Sequence, residues 1–198
     1  MTLDSYRAQA KVYFDPVVKI AVRLGLTPNP LTIAAFIASG AAGLLFAFGH
    51  LAWAILAVMV NAFCDALDGA VARELKIQSL RGDFLDHAVD RYADIFIITG
   101  IFAGGLVCWQ IGVFALTGVL MSSYLGTQAQ AVGVGRYYGG VLGRADRLVL
   151  IILAGIASIA APAGIFGVTF FTWLLLCFGI FGHITALQRF AYVWAKVK

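Results

Sequence analysis

Apolar runs long enough to cross a bilayer recur along nearly the whole chain, and only short breaks separate them. A spanning helix needs about 20 mostly apolar residues. Six stretches qualify: roughly 31–48, 51–72, 84–104, 108–131, 146–161 and 165–190. Gly49-His50, Gly104-Gly105 and Pro162–Gly164 interrupt them at alternate junctions. Arg73–Arg81 and the Gly-rich stretch from Gly133 to Arg144 join the others. Charged residues make up 12% of the chain and hydrophobic ones 62%, whereas an ordinary soluble domain carries about 25% charged residues. The surface of such a chain is solvated largely by lipid.

Charge placement supports this segmentation. With six spans the loops alternate sides. The turns near His50, Gly105 and Pro162 then share one side and hold no Lys, Arg, Asp or Glu, and all fourteen Lys and Arg lie on the other side or in the adjoining helix halves. The positive-inside rule makes that side cytoplasmic, with both termini on it. Residues 2–25 read as a basic amphipathic helix lying in the membrane interface: Tyr6, Ala10, Tyr13, Phe14, Val17, Val18, Ala21 and Leu24 recur at helical spacing among Arg7, Lys11, Lys19 and Arg23. Pro16 is expected to kink or split it. Charges spread through the first thirty residues leave no apolar core for a cleavable signal peptide. The expected architecture is an all-α integral membrane protein in one domain over residues 1–198. It has an interfacial helix over 1–28 and a six-helix bundle over 31–190, in a prokaryotic plasma membrane. Cys64, Cys108 and Cys177 form no C-x-x-C pair and read as packing residues.

Against this background the acidic residues are the anomaly. An ionisable group within a span costs on the order of 3 kcal/mol or more and marks a functional site by default. Asp65 and Asp68 stand three apart in the second apolar stretch; Asp86 and Asp90 stand four apart in the third, followed by Asp94. Either spacing places a pair on one helix face. Both pairs lie about 12 Å inside their helix ends at 1.5 Å rise per residue. On adjacent antiparallel helices, four carboxylates would then surround one small volume. Carboxylates so placed need compensation. Oxygen-only ligands suit Mg²⁺, Mn²⁺ or Ca²⁺ rather than zinc, and Mg²⁺ typically adds substrate phosphates to one or two carboxylates. Two such ions would clamp both sides of a displacement at phosphorus. Gly69, Ala72 and Gly82 leave room beside the carboxylates for a ligand or for helix packing. Asp83 is expected as a helix N-cap, and Asp94 either supports Asp90 or pairs with Arg91. His87 is expected to point away from the Asp86/Asp90 face.

Residues 65–90 read DALDGAVARELKIQSLRGDFLDHAVD. This resembles the signature of the CDP-alcohol phosphotransferase (CDP-alcohol phosphatidyltransferase) family, D-x-x-D-G-x-x-A-R, eight residues, then G-x-x-x-D-x-x-x-D. Every fixed position is filled, and residues 82–98 look like those of archaeal members. The resemblance implies that Asp65, Asp68, Asp86 and Asp90 hold metal, with Asp90 also the general base. Asn29, Thr32, Asp65, Gly69, Ala72, Arg73 and Gly82 would bind the CDP moiety. It also implies a homodimer.

Arg136, Arg144 and Arg147 flank the connection between the fourth and fifth spans. They read either as ordinary positive-inside charge or as a pocket for the phosphate of the acceptor alcohol, since Arg forks match phosphate oxygens. Inositol-phosphate-using family members often carry Lys or Arg near the end of the fourth span. Here that stretch, Ser123–Gln128, is uncharged. The expected reaction transfers a phosphatidyl- or archaetidyl-type group from a CDP-linked lipid to a small polar acceptor, glycerol phosphate ahead of inositol phosphate or serine, with release of CMP. The active site faces the cytoplasm, the metal is Mg²⁺ or Mn²⁺ (two ions), and no nucleic-acid partner is expected. A transporter with an intramembrane carboxylate ion site is the rival class. Against it, the carboxylates sit near one face and no charge lies toward the other.

Overall fold

The structure is a computed structural model that describes residues 7–137, 139–141 and 143–197, with side chains from Phe14 onward. Seven helices account for nearly all of it: α1 (Arg7–Arg23), α2 (Pro28–Ala47), α3 (Leu51–Glu74), α4 (Leu80–Ala103), α5 (Trp109–Ala131), α6 (Arg144–Ala160) and α7 (Phe170–Trp194). Six of them coincide with the six apolar stretches. Among the described residues, α2, α3, α5 and α7 are the helices long and apolar enough to cross a membrane on length and composition alone. The other two fall short for identifiable reasons. α4 carries Arg81, Asp83, Asp86, Asp90, Arg91 and Asp94, and α6 has 17 residues. The last stretch starts later than expected, because Ile165–Val168 close a tight turn before α7.

Local sequence explains where these helices start and stop. Pro28 opens α2 at its first position, where a missing N–H costs nothing. Ser79 caps α4 by accepting from the Gly82 amide at 3.1 Å. Asp83, expected in that role, instead sits in the first turn of α4. Pro16 lies inside α1, which continues through it as one helix. Just past the end of α1, Gly25, with a φ of +75°, lets the Leu26 amide reach back to the Ala21 carbonyl. Val18 and Ala21 of α1 bury against Leu31, Leu67 and Val71, so its C-terminal half packs on α3. The expected apolar positions Tyr6, Ala10 and Tyr13 lie outside the described side chains.

The helices close a ring. α2 packs on α3, α3 on α6, α6 on α7, α7 on α5, α5 on α4 and α4 back on α2. Phe46, Ile97, Ile101, Val119, Phe171 and Phe178 fill its core. Leu44, Trp53, Leu153 and Phe190 are among many large apolar side chains left exposed on the outside, the pattern expected where lipid is the solvent. α2 and α4 touch backbone to backbone: a methyl added to Gly100 would lie 2.6 Å from Gly43 Cα. This closeness brings the start of α2 and the acidic half of α4 to the same end of the bundle as the end of α3. The α5–α6 connection folds over that end. Tyr137 stacks on Tyr192 of α7 with centroids 3.9 Å apart, and the Val141 amide donates to Thr185 Oγ1.

Candidate active site

The sequence pairs meet as their spacing implied. Asp65, Asp68 and Asp86 each offer a carboxylate oxygen within 4.8 Å of the others, and Asp86, His87 and Asp90 form a second such group. His87 therefore faces the cluster, contrary to expectation; its Nε2 lies 3.3 Å from Asp83. Asp68 and Asp90 are buried, and Asp65 and Asp86 half-buried. Asp68 is held from α2: Thr32 Oγ1 donates to its Oδ2 at 2.6 Å. An oxygen-rich set at this spacing and burial fits a hard divalent cation.

Beside the carboxylates opens a cavity of about 450 Å³, formed by the start of α2, the end of α3 and the start of α4. Asn29, Thr32, Asp68, Gly69, Ala72, Arg73, Gly82 and Asp86 line it. Of the residues assigned to the CDP moiety from sequence, only Asp65 is not among its walls. The small residues leave the space open. A methyl at Gly69 would meet only Arg73 Nη1, at 3.3 Å, and one at Gly82 only Ser79 Oγ, at 3.3 Å.

The arginines separate in space. Arg144, at the start of α6, bridges the two halves of the cluster: its Nη1 is paired with Asp65 and lies 2.6 Å from Asp90 Oδ1. Arg147 pairs with Asp94 at 2.8 Å. Asp94 is thus not the partner of Arg91, which lies 3.5 Å from Asp90. Arg136 reaches α4 instead, contacting Asp83 and His87 at the rim of the cavity. Sequence reasoning passed over Arg189. This residue on α7 donates from Nε to the Gly139 carbonyl at 2.8 Å and from Nη1 to the Ser122 carbonyl at 2.5 Å. Gly126 leaves the room that its guanidinium takes. A lone Arg in an apolar helix was the available signal, the same one that singled out the aspartates. Arg189 supplies positive charge beside the very end of α5 that is uncharged in sequence.

Residues 25–191 match the family model described as CDP-alcohol phosphatidyltransferase. The chain belongs to this family. It is a CDP-alcohol phosphotransferase, a membrane enzyme of phospholipid synthesis. Among relatives of this phosphotransferase, an archaetidylinositol phosphate synthase of Pyrococcus horikoshii is 35% identical over 87% of this chain and 91% of its own. One of Methanothermobacter thermautotrophicus is 32% identical over 99% of this chain and 96% of its own. The Mycobacterium tuberculosis phosphatidylinositol phosphate synthase, solved with CDP-DAG bound, superposes with a TM-score of 0.76 at 27% identity, covering 90% of this chain and 92% of that one. The same enzyme has been solved in complex with manganese and citrate.

Proposed function

We propose that this phosphotransferase moves an archaetidyl-type group from its CDP-linked lipid to a hydroxyl of inositol phosphate, releasing CMP. The observation that carries the acceptor is a chain of neighbouring arginines: Arg91 lies near enough to Arg144 and Arg147 to feel their charge, and Arg189 near enough to Arg147 and Arg91. Among the described residues Arg189 pairs with carbonyls and with no carboxylate, an arrangement suited to an incoming phosphate. The names of the full-length relatives support inositol phosphate over glycerol phosphate, and Arg189 removes the argument against it. Arg144 and Arg147 stay in the acceptor reading, Arg189 joins them, and Arg136 becomes a tie between the α5–α6 connection and α4.

The chain's own residues divide the work. The donor's CDP head occupies the cavity walled by Asn29, Thr32, Gly69, Ala72 and Gly82, with Arg73 against its phosphates. Asp65, Asp68, Asp86 and Asp90 would hold two divalent ions, Mg²⁺ or Mn²⁺, whose charge would offset that of the diphosphate and of the CMP leaving group. Asp90, its carboxylate oriented by Arg144, takes the proton from the acceptor hydroxyl. The oxygen bonds to the lipid-side phosphorus, and the bond from that phosphorus to CMP breaks. In this reading α2 to α7 all cross the membrane of a prokaryotic cell, the site opens to the cytoplasm, and two copies pair.

The test is a product assay with purified protein. CDP-archaeol and CDP-diacylglycerol would each be offered with inositol phosphate, glycerol phosphate or serine. The expected product is archaetidylinositol phosphate. Turnover of glycerol phosphate or serine in place of inositol phosphate would overturn the acceptor assignment.

A further inference from the structure

Asp94 belongs to neither carboxylate group that could hold a metal, and it lies outside the family signature. It is nevertheless buried inside the bundle, with its side chain 6% exposed, and pairs there with the equally buried Arg147. α4 and α6 are not neighbours in the ring; among the described ion pairs, this one and Arg144–Asp90 link them. A buried pair in an apolar setting is a poor source of stability, because desolvation cancels much of the attraction. Within a membrane-spanning bundle it calls for another role.

Arg147 supplies a second observation. Its Nη2 donates to Asp94, but its Nε is buried with no hydrogen-bond partner among the described residues. Buried N–H groups rarely stay unsatisfied, so an unmet donor on a guanidinium in a charged site points to an anion. Without Asp94, nothing else among the described ion pairs fixes the fork. Arg189 and Arg91, both near enough to feel its charge, would push it away.

We infer that Asp94 is a positioning residue for the acceptor. By anchoring the Arg147 guanidinium from across the ring, it presents the remaining N–H groups to the acceptor's phosphate. This rests on the phosphorylated-acceptor reading above. Asp94 is neither among the walls of the cavity assigned to the donor's CDP head nor in either carboxylate group, so its effect is expected on the acceptor alone.

The experiment is steady-state CMP release by the full-length enzyme, with inositol phosphate and CDP-lipid varied in turn. Asp94→Asn should raise the acceptor KM about tenfold, the worth of one charge-assisted contact. The donor KM and the Mn²⁺ affinity measured by titration should stay unchanged. Arg147→Ala should raise the acceptor KM similarly, and Asp94→Asn/Arg147→Ala no further than Arg147→Ala alone, because one residue acts through the other. If Asp94→Asn does not fold, Asp94→Glu should give the same one-sided rise, smaller in size. Additive effects in the double variant overturn the inference, as does an unchanged acceptor KM or an equal change for the donor. If the wild type uses glycerol phosphate instead, the inositol reading fails and the same cycle on that acceptor still decides the role of Asp94. Serine as the sole acceptor overturns both.

Discussion

Asp68 is tied to α2, since Thr32 Oγ1 donates to it at 2.6 Å across the α2–α3 interface. Replacing Thr32 with Val keeps the shape and removes the hydroxyl. A buried acceptor left unmet costs about 1–3 kcal/mol, and the freed carboxylate loses its orientation. Mn²⁺ affinity, measured by titration without substrate, is expected to fall about tenfold or more. Binding equal to wild type would show that Thr32 serves the nucleotide alone. Asp90 makes a contrasting case at the same scale. Asp90→Asn should abolish turnover, because an amide cannot accept the acceptor's proton, yet it should retain more donor binding than Asp65→Asn, Asp68→Asn or Asp86→Asn. Near wild-type turnover in Asp90→Asn would remove it as the base.

Between elements, two kinds of small residue do different jobs. Gly100 has Gly43 backbone directly against it, whereas Gly69 faces the open cavity. Gly100→Ala must push α4 off α2, and overpacking of this kind costs about 1–3 kcal/mol. The expected outcome is a lower unfolding midpoint in detergent. Gly69→Ala should unfold like wild type, because the added methyl meets only the end of a flexible Arg73. Its defect should be a raised donor KM as the methyl enters the CDP space. Loss of stability in Gly69→Ala with an unchanged donor KM would make that position a packing glycine.

For the whole molecule, the ring gathers every assigned group at the end carrying the α3–α4 turn and the α5–α6 connection. Chelation should reduce CMP release to background, and restoring Mg²⁺ or Mn²⁺ should recover it; full release in excess chelator would sink the metal assignment. The proposed six-span topology puts that end and the α6–α7 turn on opposite faces. In a cysteine-free background, Gln78→Cys should react with an impermeant thiol reagent only in inverted vesicles, and Phe166→Cys only in right-side-out ones. Labelling of both from the same face would mean that an even number of crossings separates them in place of the three helices α4, α5 and α6, and would overturn the six-span topology.

The sequence by itself determined the helices and the four clustered aspartates. Both are written in local spacing: apolar runs set by the need to satisfy backbone groups in lipid, and carboxylates three or four apart that must share a face. The short α3–α4 link then made the two aspartate pairs neighbours. Partners distant in sequence were another matter. Asp94 choosing Arg147 over Arg91, Arg144 entering the carboxylate cluster, and Arg189 reaching the end of α5 all depend on the ring order of the helices. Helical periodicity says which face a residue occupies and nothing about which helix that face meets. The positive charge missing from α5 was present all along on α7, more than sixty residues away in sequence, and only the packing of those two helices brought it beside the end of α5.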